Sequence, residues 1–364
     1  MGARTFNNSL KKQKSRQPRK FPKQSQRRAF VTGIAGQDGS YLSEFLVSKE
    51  YEVFGLMKDG VQENADSFEA LKKLGKAVTL ISGDITDTPT VKKLLAETRP
   101  NEIYNLASQS NVWKSFDDPE GTMEINFHAF KRLSDAALKL DPKVRILQAS
   151  SSEMFGNVPA PQKENSPMEP VSPYAKSKLR AFREVVLPFR EKNFFIASGI
   201  FFNHESPRRP IEFVTQKIAT GMAKISLGQL PFLELGNLNA RRDWGFAGDY
   251  VKAMNKILNY REPDDFCIAT GESHTIRDFV NEAAKVFNIK LEWRGKDSDE
   301  VALDENGKTV VKVNKDFYRP MEVSDTVGDA NKAKRLLGWS PETKFPELVS
   351  MMVLAALERE KKVK

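Results

Sequence analysis

Tyr174-Ala-Lys-Ser-Lys178 sets a phenol and an amine four residues apart, on one face of any helix that contains them. The ammonium stabilises a phenolate, drawing a side chain whose ordinary pKa is about 10 toward the working range. Such a Tyr can take a hydroxyl proton while hydride leaves the same carbon for a nicotinamide. Tyr-x-x-x-Lys is common by chance, and alone it describes a solvated helix face. A second cluster, Ala149-Ser150-Ser151-Ser152-Glu153, changes its weight. A hydroxyl there can hydrogen-bond the oxygen that becomes a ketone. Glu153 is more informative, because simple ketone reduction has no use for a carboxylate. Once one carbon is oxidised, the proton on its neighbour turns acidic. Glu153 can remove it, water can leave the next carbon, and the stored hydride can return there. The plain alternative is a surface glutamate in a loop.

These side chains need a frame. Arg28-Ala-Phe-Val-Thr32 reads as a short buried strand, and a helix follows through Tyr41, Leu42, Phe45 and Leu46. Between them lies Thr32-Gly33-Ile34-Ala35-Gly36-Gln37-Asp38-Gly39. Glycines 33, 36 and 39 permit a tight turn and a close backbone approach to a pyrophosphate, and the helix start offers free N–H groups to that anion. Further strands are expected at Tyr51–Met57, Val78–Ser82, Glu102–Leu106, Val144–Ala149 and Phe195–Phe202. Helical stretches separate them around Phe68–Leu74, Thr90–Glu97, Ile125–Leu140 and from Pro173. This alternation implies a parallel sheet covered on both faces.

The expected fold is therefore α/β, a Rossmann-type doubly wound parallel sheet over 29–202, with segments near 239–270 returning to it. Residues 203–364 form mainly a smaller, partly interleaved substrate domain. It has helices near Phe213–Leu227, Ala247–Leu258, Ile276–Phe287 and Pro346–Glu358, a strand at Phe266–Ala269, and a hairpin turning at Asn306-Gly307.

In such sheets ligands bind at the carboxyl ends of the strands. Gly83-Asp84-Ile85 follows the third strand, with Asp84 placed to accept from an adenine amino group. Leu106-Ala107-Ser108-Gln109-Ser110 follows the fourth, and its small residues let a cofactor lie against backbone. Met57 stands where an NAD enzyme usually carries an acid, and Lys58 comes next, which favours NADP over NAD. Asp59 works against that choice.

Composition narrows the class. One cysteine, Cys267, rules out an intramolecular disulfide and fits a reducing, cytoplasmic setting. His128, His204 and His274 show no metal spacing, so no structural metal is expected. No apolar run approaches the roughly 18 residues that span a bilayer. The net charge of +9 is local: residues 1–28 hold ten Lys/Arg and no acid, leaving 47 basic against 48 acidic residues in the rest. That tail reads as a solvated disordered extension, as an anionic-surface contact or as an organelle transit segment, which is also acid-poor.

The chain resembles the GDP-mannose 4,6-dehydratase family of extended short-chain dehydrogenase/reductases from about Arg28 to Glu358. The resemblance rests on Thr-Gly-Ile-Ala-Gly-Gln-Asp-Gly-Ser-Tyr-Leu (32–42), Glu-Ile-Tyr-Asn-Leu-Ala (102–107), Ser-Pro-Tyr-Ala (172–175), Phe-Asn-His-Glu-Ser-Pro-Arg-Arg (202–209), Arg-Asp-Trp-Gly (242–245), Ile-Ala-Thr-Gly (268–271) and Arg-Pro-Met-Glu-Val (319–323). It implies redox-neutral dehydration of a GDP-hexose, GDP-mannose first, by a homodimer or homotetramer with tightly bound NADP. Ser151 would take the place of the family's catalytic Thr, Glu153 its acid/base and Tyr174 its catalytic Tyr. Lys178, His204 and Arg209 would touch the cofactor. Asn203, Val214, Lys217, Arg242 and Arg319 would meet the GDP-sugar, the two arginines forking onto its diphosphate.

Three alternatives remain open: a dehydratase of another GDP-sugar such as a GDP-heptose, a sugar-nucleotide reductase or epimerase, and a nucleotide-binding scaffold that contacts nucleic acid through the basic tail. Glu153 argues against the reductase, and the intact Ser151/Glu153/Tyr174/Lys178 set against the scaffold.

Overall fold

The computed structural model describes residues 26–58, 65–317 and 325–362. Seven strands form the central sheet: β1 (Arg28–Thr32), β2 (Glu52–Met57), β3 (Val78–Ser82), β4 (Glu102–Asn105), β5 (Arg145–Ser151), β6 (Ile196–Phe201) and β7 (Asp265–Ile268). Their order is β7-β6-β5-β4-β1-β2-β3, and every pairing is parallel. The chain winds outward in both directions from β1 and β4, which opens a crevice at their carboxyl ends.

Near-continuous apolar strands demand cover on both faces, and β6 is buried at all six positions. One face packs on helices Thr88–Thr98, Phe130–Leu140 and Pro173–Ala181. The other takes Gln37–Ser48 and Ala247–Leu258, together with Ala333, Leu337 and Trp339. Helix Asn331–Leu337 packs on this face as well. A third core joins helices Val214–Ser226, Ile276–Lys285 and Phe345–Lys362 to a small sheet of Leu233–Leu235, Glu292–Arg294, Val301–Leu303 and Thr309–Val313. Val301–Leu303 and Thr309–Val313 pair antiparallel around Asn306-Gly307, where Gly307 has φ 78°.

Arg27, counted with the basic tail, belongs to the fold because it finds polar partners, and Arg28 opens the first strand as expected. Arg28 pairs with Glu52 at 3.1 Å, and Arg27 reaches the Tyr51 hydroxyl at 3.0 Å. The remainder of the tail, 1–25, lies outside the described residues. The expected helix from Ile125 instead begins at Pro119 and contains a widened π turn over Glu124–Ala129. That turn lets the buried Asn126 accept from the Gln109 N–H at 3.0 Å and the Ser108 hydroxyl at 2.9 Å, while its amide donates to Ser177 at 2.9 Å. Among the described residues no helix is long and apolar enough to cross a membrane, and no His/Cys/Asp/Glu group could hold a metal.

The first turn is held by close approach. Gly33 has φ +68°, and a Cβ at Gly39 would lie 2.5 Å from the Gly33 carbonyl oxygen and from Ile34 Cα. Gly39→Ala must push the helix start outward, lowering stability by about 1–3 kcal/mol. Chemical denaturation measures this; an unchanged midpoint contradicts it.

Candidate active site

All the described candidate residues line one cavity of about 850 Å³ at the carboxyl ends of the strands. The set runs from Gly33, Gly36, Gln37, Asp38 and Gly39 through Lys58, Asp84, Ile85 and Leu106–Ser110 to Ser151, Glu153, Tyr174 and Lys178. Asn203, His204, Arg209, Val214, Lys217 and Arg242 close the far side. Arg319 and Asp59 lie outside the described residues, so only one arm of the expected arginine fork is seen.

The crevice is braced by buried polar side chains that cross three strands. Thr32 donates to Asn105 at 2.8 Å, and Asn105 donates to Gln148 at 2.7 Å. The Thr32 hydroxyl also accepts from the N–H groups of Leu106 and Ala107, at 3.1 and 3.0 Å. Helix Gln37–Ser48 begins at Gly36 with no side-chain cap, so its first N–H groups remain available to an anion. This glycine cradle and open helix start fit the diphosphate of a dinucleotide.

At that helix start Asp38 meets His204. His204 Nε2 lies 2.8 Å from Asp38 Oδ2, and Nδ1 lies 2.8 Å from the Phe202 carbonyl. Carbonyl and carboxylate oxygens only accept, so both ring nitrogens donate and the imidazole is positively charged. Burial opposes both charges, yet their attraction holds Asp38 below its ordinary range and His204 above it. With both nitrogens engaged, His204 offers a cofactor only its ring carbons and backbone.

Tyr174, Ser151 and Glu153 converge. Helix Pro173–Ala181 starts with Ser172 accepting from the Ala175 N–H, and Pro173 suits its first turn. Ser151 ends β5, and Glu153 follows in a 3₁₀ turn whose N–H donates to the Ser151 hydroxyl at 3.2 Å. Burial pushes the Tyr174 phenol up to about 12. A hydrogen bond with Ser151 eases it, the Glu153 charge opposes that, and Arg209 eases it further.

Lys178 behaves differently from the sequence expectation. Its ammonium donates to the Ala149 carbonyl at 2.9 Å and lies 5.8 Å from the Tyr174 ring centre. Burial brings its pKa down to about 8, with Asp38 raising it. Desolvation outweighs the Tyr–Lys attraction assumed from spacing.

At the other end Asp84 is not a free acceptor. Its Oδ1 takes the Thr86 N–H at 2.9 Å and hydroxyl at 2.8 Å, and its Oδ2 lies 3.0 Å from Lys58 Nζ. Burial opposes ionisation there, but these partners hold the carboxyl below its ordinary range. On the far wall, Arg209 lies 3.5 Å over the Phe213 ring and pairs with the buried Glu205 at 3.1 Å. Lys217 sits 3.8 Å over Phe317, its pKa lowered by burial and raised back by Glu234. Arg242 is anchored through its neighbour. Buried Asp243 accepts from Thr270 N and Oγ1, Gly271 N and Gly328 N at 2.8, 2.7, 2.9 and 3.2 Å.

The GDP-mannose 4,6 dehydratase family model matches residues 30–352. A GDP-mannose 4,6 dehydratase of Homo sapiens is 46% identical over 340 residues, covering 91% of this chain and 91% of that protein. The chain belongs to the GDP-mannose 4,6-dehydratase family. It is an enzyme, a hydro-lyase. A GDP-mannose 4,6-dehydratase of Vibrio cholerae is 42% identical over 350 residues, covering 91% and 94% of the two chains. Among solved structures, a UDP-glucose 4-epimerase of Thermotoga maritima superposes with a TM-score of 0.76 at 19% identity, covering 92% of this chain and 99% of that one. Such distant likeness shows the shared fold.

In this dehydratase-family chain the sequence reading missed Asn126, Asn105 and Phe213. Asn126 and Asn105 carry one weak signal, a buried-type amide inside an apolar run. Phe213 carries none, since its role comes from the approach of Arg209.

Lys178 is held at a cost. Its folded pKa of about 8 lies below the ordinary 10.5, so between those values the unfolded chain keeps a proton that the folded chain has lost. Stability from this group therefore rises with pH across that window. Lys178→Met is expected to raise stability at pH 7 by roughly 2 kcal/mol, after subtracting the lost hydrogen bond. The gain should disappear above pH 10.5. Destabilisation at pH 7 in urea titrations contradicts this.

Proposed function

We propose that the chain dehydrates GDP-mannose to GDP-4-keto-6-deoxymannose without net oxidation, with a nicotinamide dinucleotide recycled at each turnover. The observation that carries this reading is the convergence of Glu153 on the cavity that holds Ser151 and Tyr174. A phenol and a hydroxyl suffice to move hydride to or from a ketone. A carboxylate beside them has a use when a C–H proton must also move.

A nicotinamide dinucleotide held in this cavity would supply an acceptor for one hydride and return it within the same turnover. Gly33, Gly36, Gln37, Asp38, Gly39, Ile85 and Leu106–Ser110 would cradle the dinucleotide, with Lys178, His204 and Arg209 toward its reactive end. Lys58 admits NADP, whose 2′-phosphate it can meet, and NAD fits the same cradle. Asn203, Val214, Lys217 and Arg242 would hold the GDP-sugar, with Arg319 as a second cation for its diphosphate.

Ser151 orients the oxygen on sugar carbon 4, and Tyr174, once ionised, takes its proton as that carbon is oxidised. Arg209 already eases ionisation of the buried phenol. The new ketone acidifies the proton on carbon 5, and Glu153 removes it. The hydroxyl of carbon 6 leaves as water with the proton that Glu153 took from carbon 5. Carbon 5 then regains the proton that Tyr174 took, as the hydride a bound dinucleotide would hold returns to carbon 6. One water is lost and no electrons are consumed.

Purified protein given GDP-mannose and a trace of NADP is expected to form a 4-keto product with no net NADPH. Glu153→Gln should lower turnover by roughly 10²–10⁴-fold while dinucleotide binding persists. Wild-type rates in that variant, or NADPH consumed in step with substrate, contradict the reading.

A further inference from the structure

The cation that suggested NADP is already paired. Lys58 Nζ lies 3.0 Å from Asp84 Oδ2, across the rim where β2 and β3 end side by side. Asp84 cannot easily turn away, because Oδ1 is held by the backbone and hydroxyl of Thr86. Of Met57, Lys58, Gly83, Asp84 and Ile85, the described residues lining this end, Lys58 is the one cation.

We infer that Asp84 competes with the cofactor's 2′-phosphate for Lys58, so that this chain does not select NADP over NAD. The inference rests on the reading of the cavity as a dinucleotide site. A 2′-phosphate brings nearly two negative charges. To contact Lys58 it must break or share this ion pair, and it then lies within a few ångströms of a carboxylate of like charge, which offsets part of the attraction. Lys58 is also largely exposed, with 64% of its side-chain surface open, so solvent screens what attraction is left. NAD leaves the ion pair intact.

Titration calorimetry on the full chain, stripped of dinucleotide, with NAD and with NADP tests this. The two Kd values are expected to lie within about tenfold of each other, or to favour NAD. Asp84→Asn removes the competing charge and should shift the ratio toward NADP by roughly tenfold; Lys58→Gln should shift it the other way by a similar factor. Reading the ratio cancels any loss of adenine contact common to both ligands. NADP bound over a hundredfold more tightly than NAD, or a ratio unmoved by Asp84→Asn, overturns the inference and leaves the dinucleotide site standing. No binding of either dinucleotide overturns both.

Discussion

Withdrawing Tyr174 and Lys178 from water is the constraint that shapes everything around them. Each is almost fully covered, and burial pushes each toward its neutral form, the phenol up to about 12 and the amine down to about 8. A site built this way cannot rely on spacing alone to create a phenolate. Charge must come from groups placed around the pair: Arg209 eases Tyr174, Asp38 raises Lys178, and the charged His204 compensates Asp38. In such surroundings electrostatic interactions act at longer range than in water.

A cavity lined by buried polar groups needs a rigid frame. Here it has polar bracing as well as apolar cores. Thr32, Asn105 and Gln148 tie the ends of β1, β4 and β5, and Asn126 holds the loop that follows β4. The far wall is clamped to the sheet in two places. His204–Glu205 pairs with Gly245–Phe246 in a short parallel ladder, and Asp243 gathers donors from Thr270, Gly271 and Gly328. Arg242 thus arrives at the cavity from a segment whose neighbour is among the most firmly held carboxylates of the chain.

Much of this was legible before any coordinates. Period and composition mark a strand such as Ile196–Phe201 well, because a buried parallel strand is short, apolar and bounded by turn residues. The glycine turn is equally readable, since positive φ at Gly33 and the close approach at Gly39 leave little choice of residue. The ionic state of the site was not readable. Tyr174 and Lys178 lie on one helix, yet depth of burial, which spacing does not encode, decides their pKa values. The Lys58–Asp84 pair joins residues 26 positions apart that only the alignment of β2 and β3 brings together. The π turn at Glu124–Ala129 was hidden for a related reason: its apolar pattern reads as an ordinary helix, and its register shift serves Asn126 and the loop beside it.

The central claim is that one hydride leaves a carbon and returns to another within the same cavity, while Glu153 moves the proton between them. GDP-mannose deuterated at carbon 4 of the sugar tests it most directly, with the product read by NMR and mass spectrometry. The deuterium is expected in the methyl group at carbon 6, with none lost to solvent or to added NADP. Deuterium washed into water, or recovered in a free reduced dinucleotide with carbon 6 unlabelled, would contradict it.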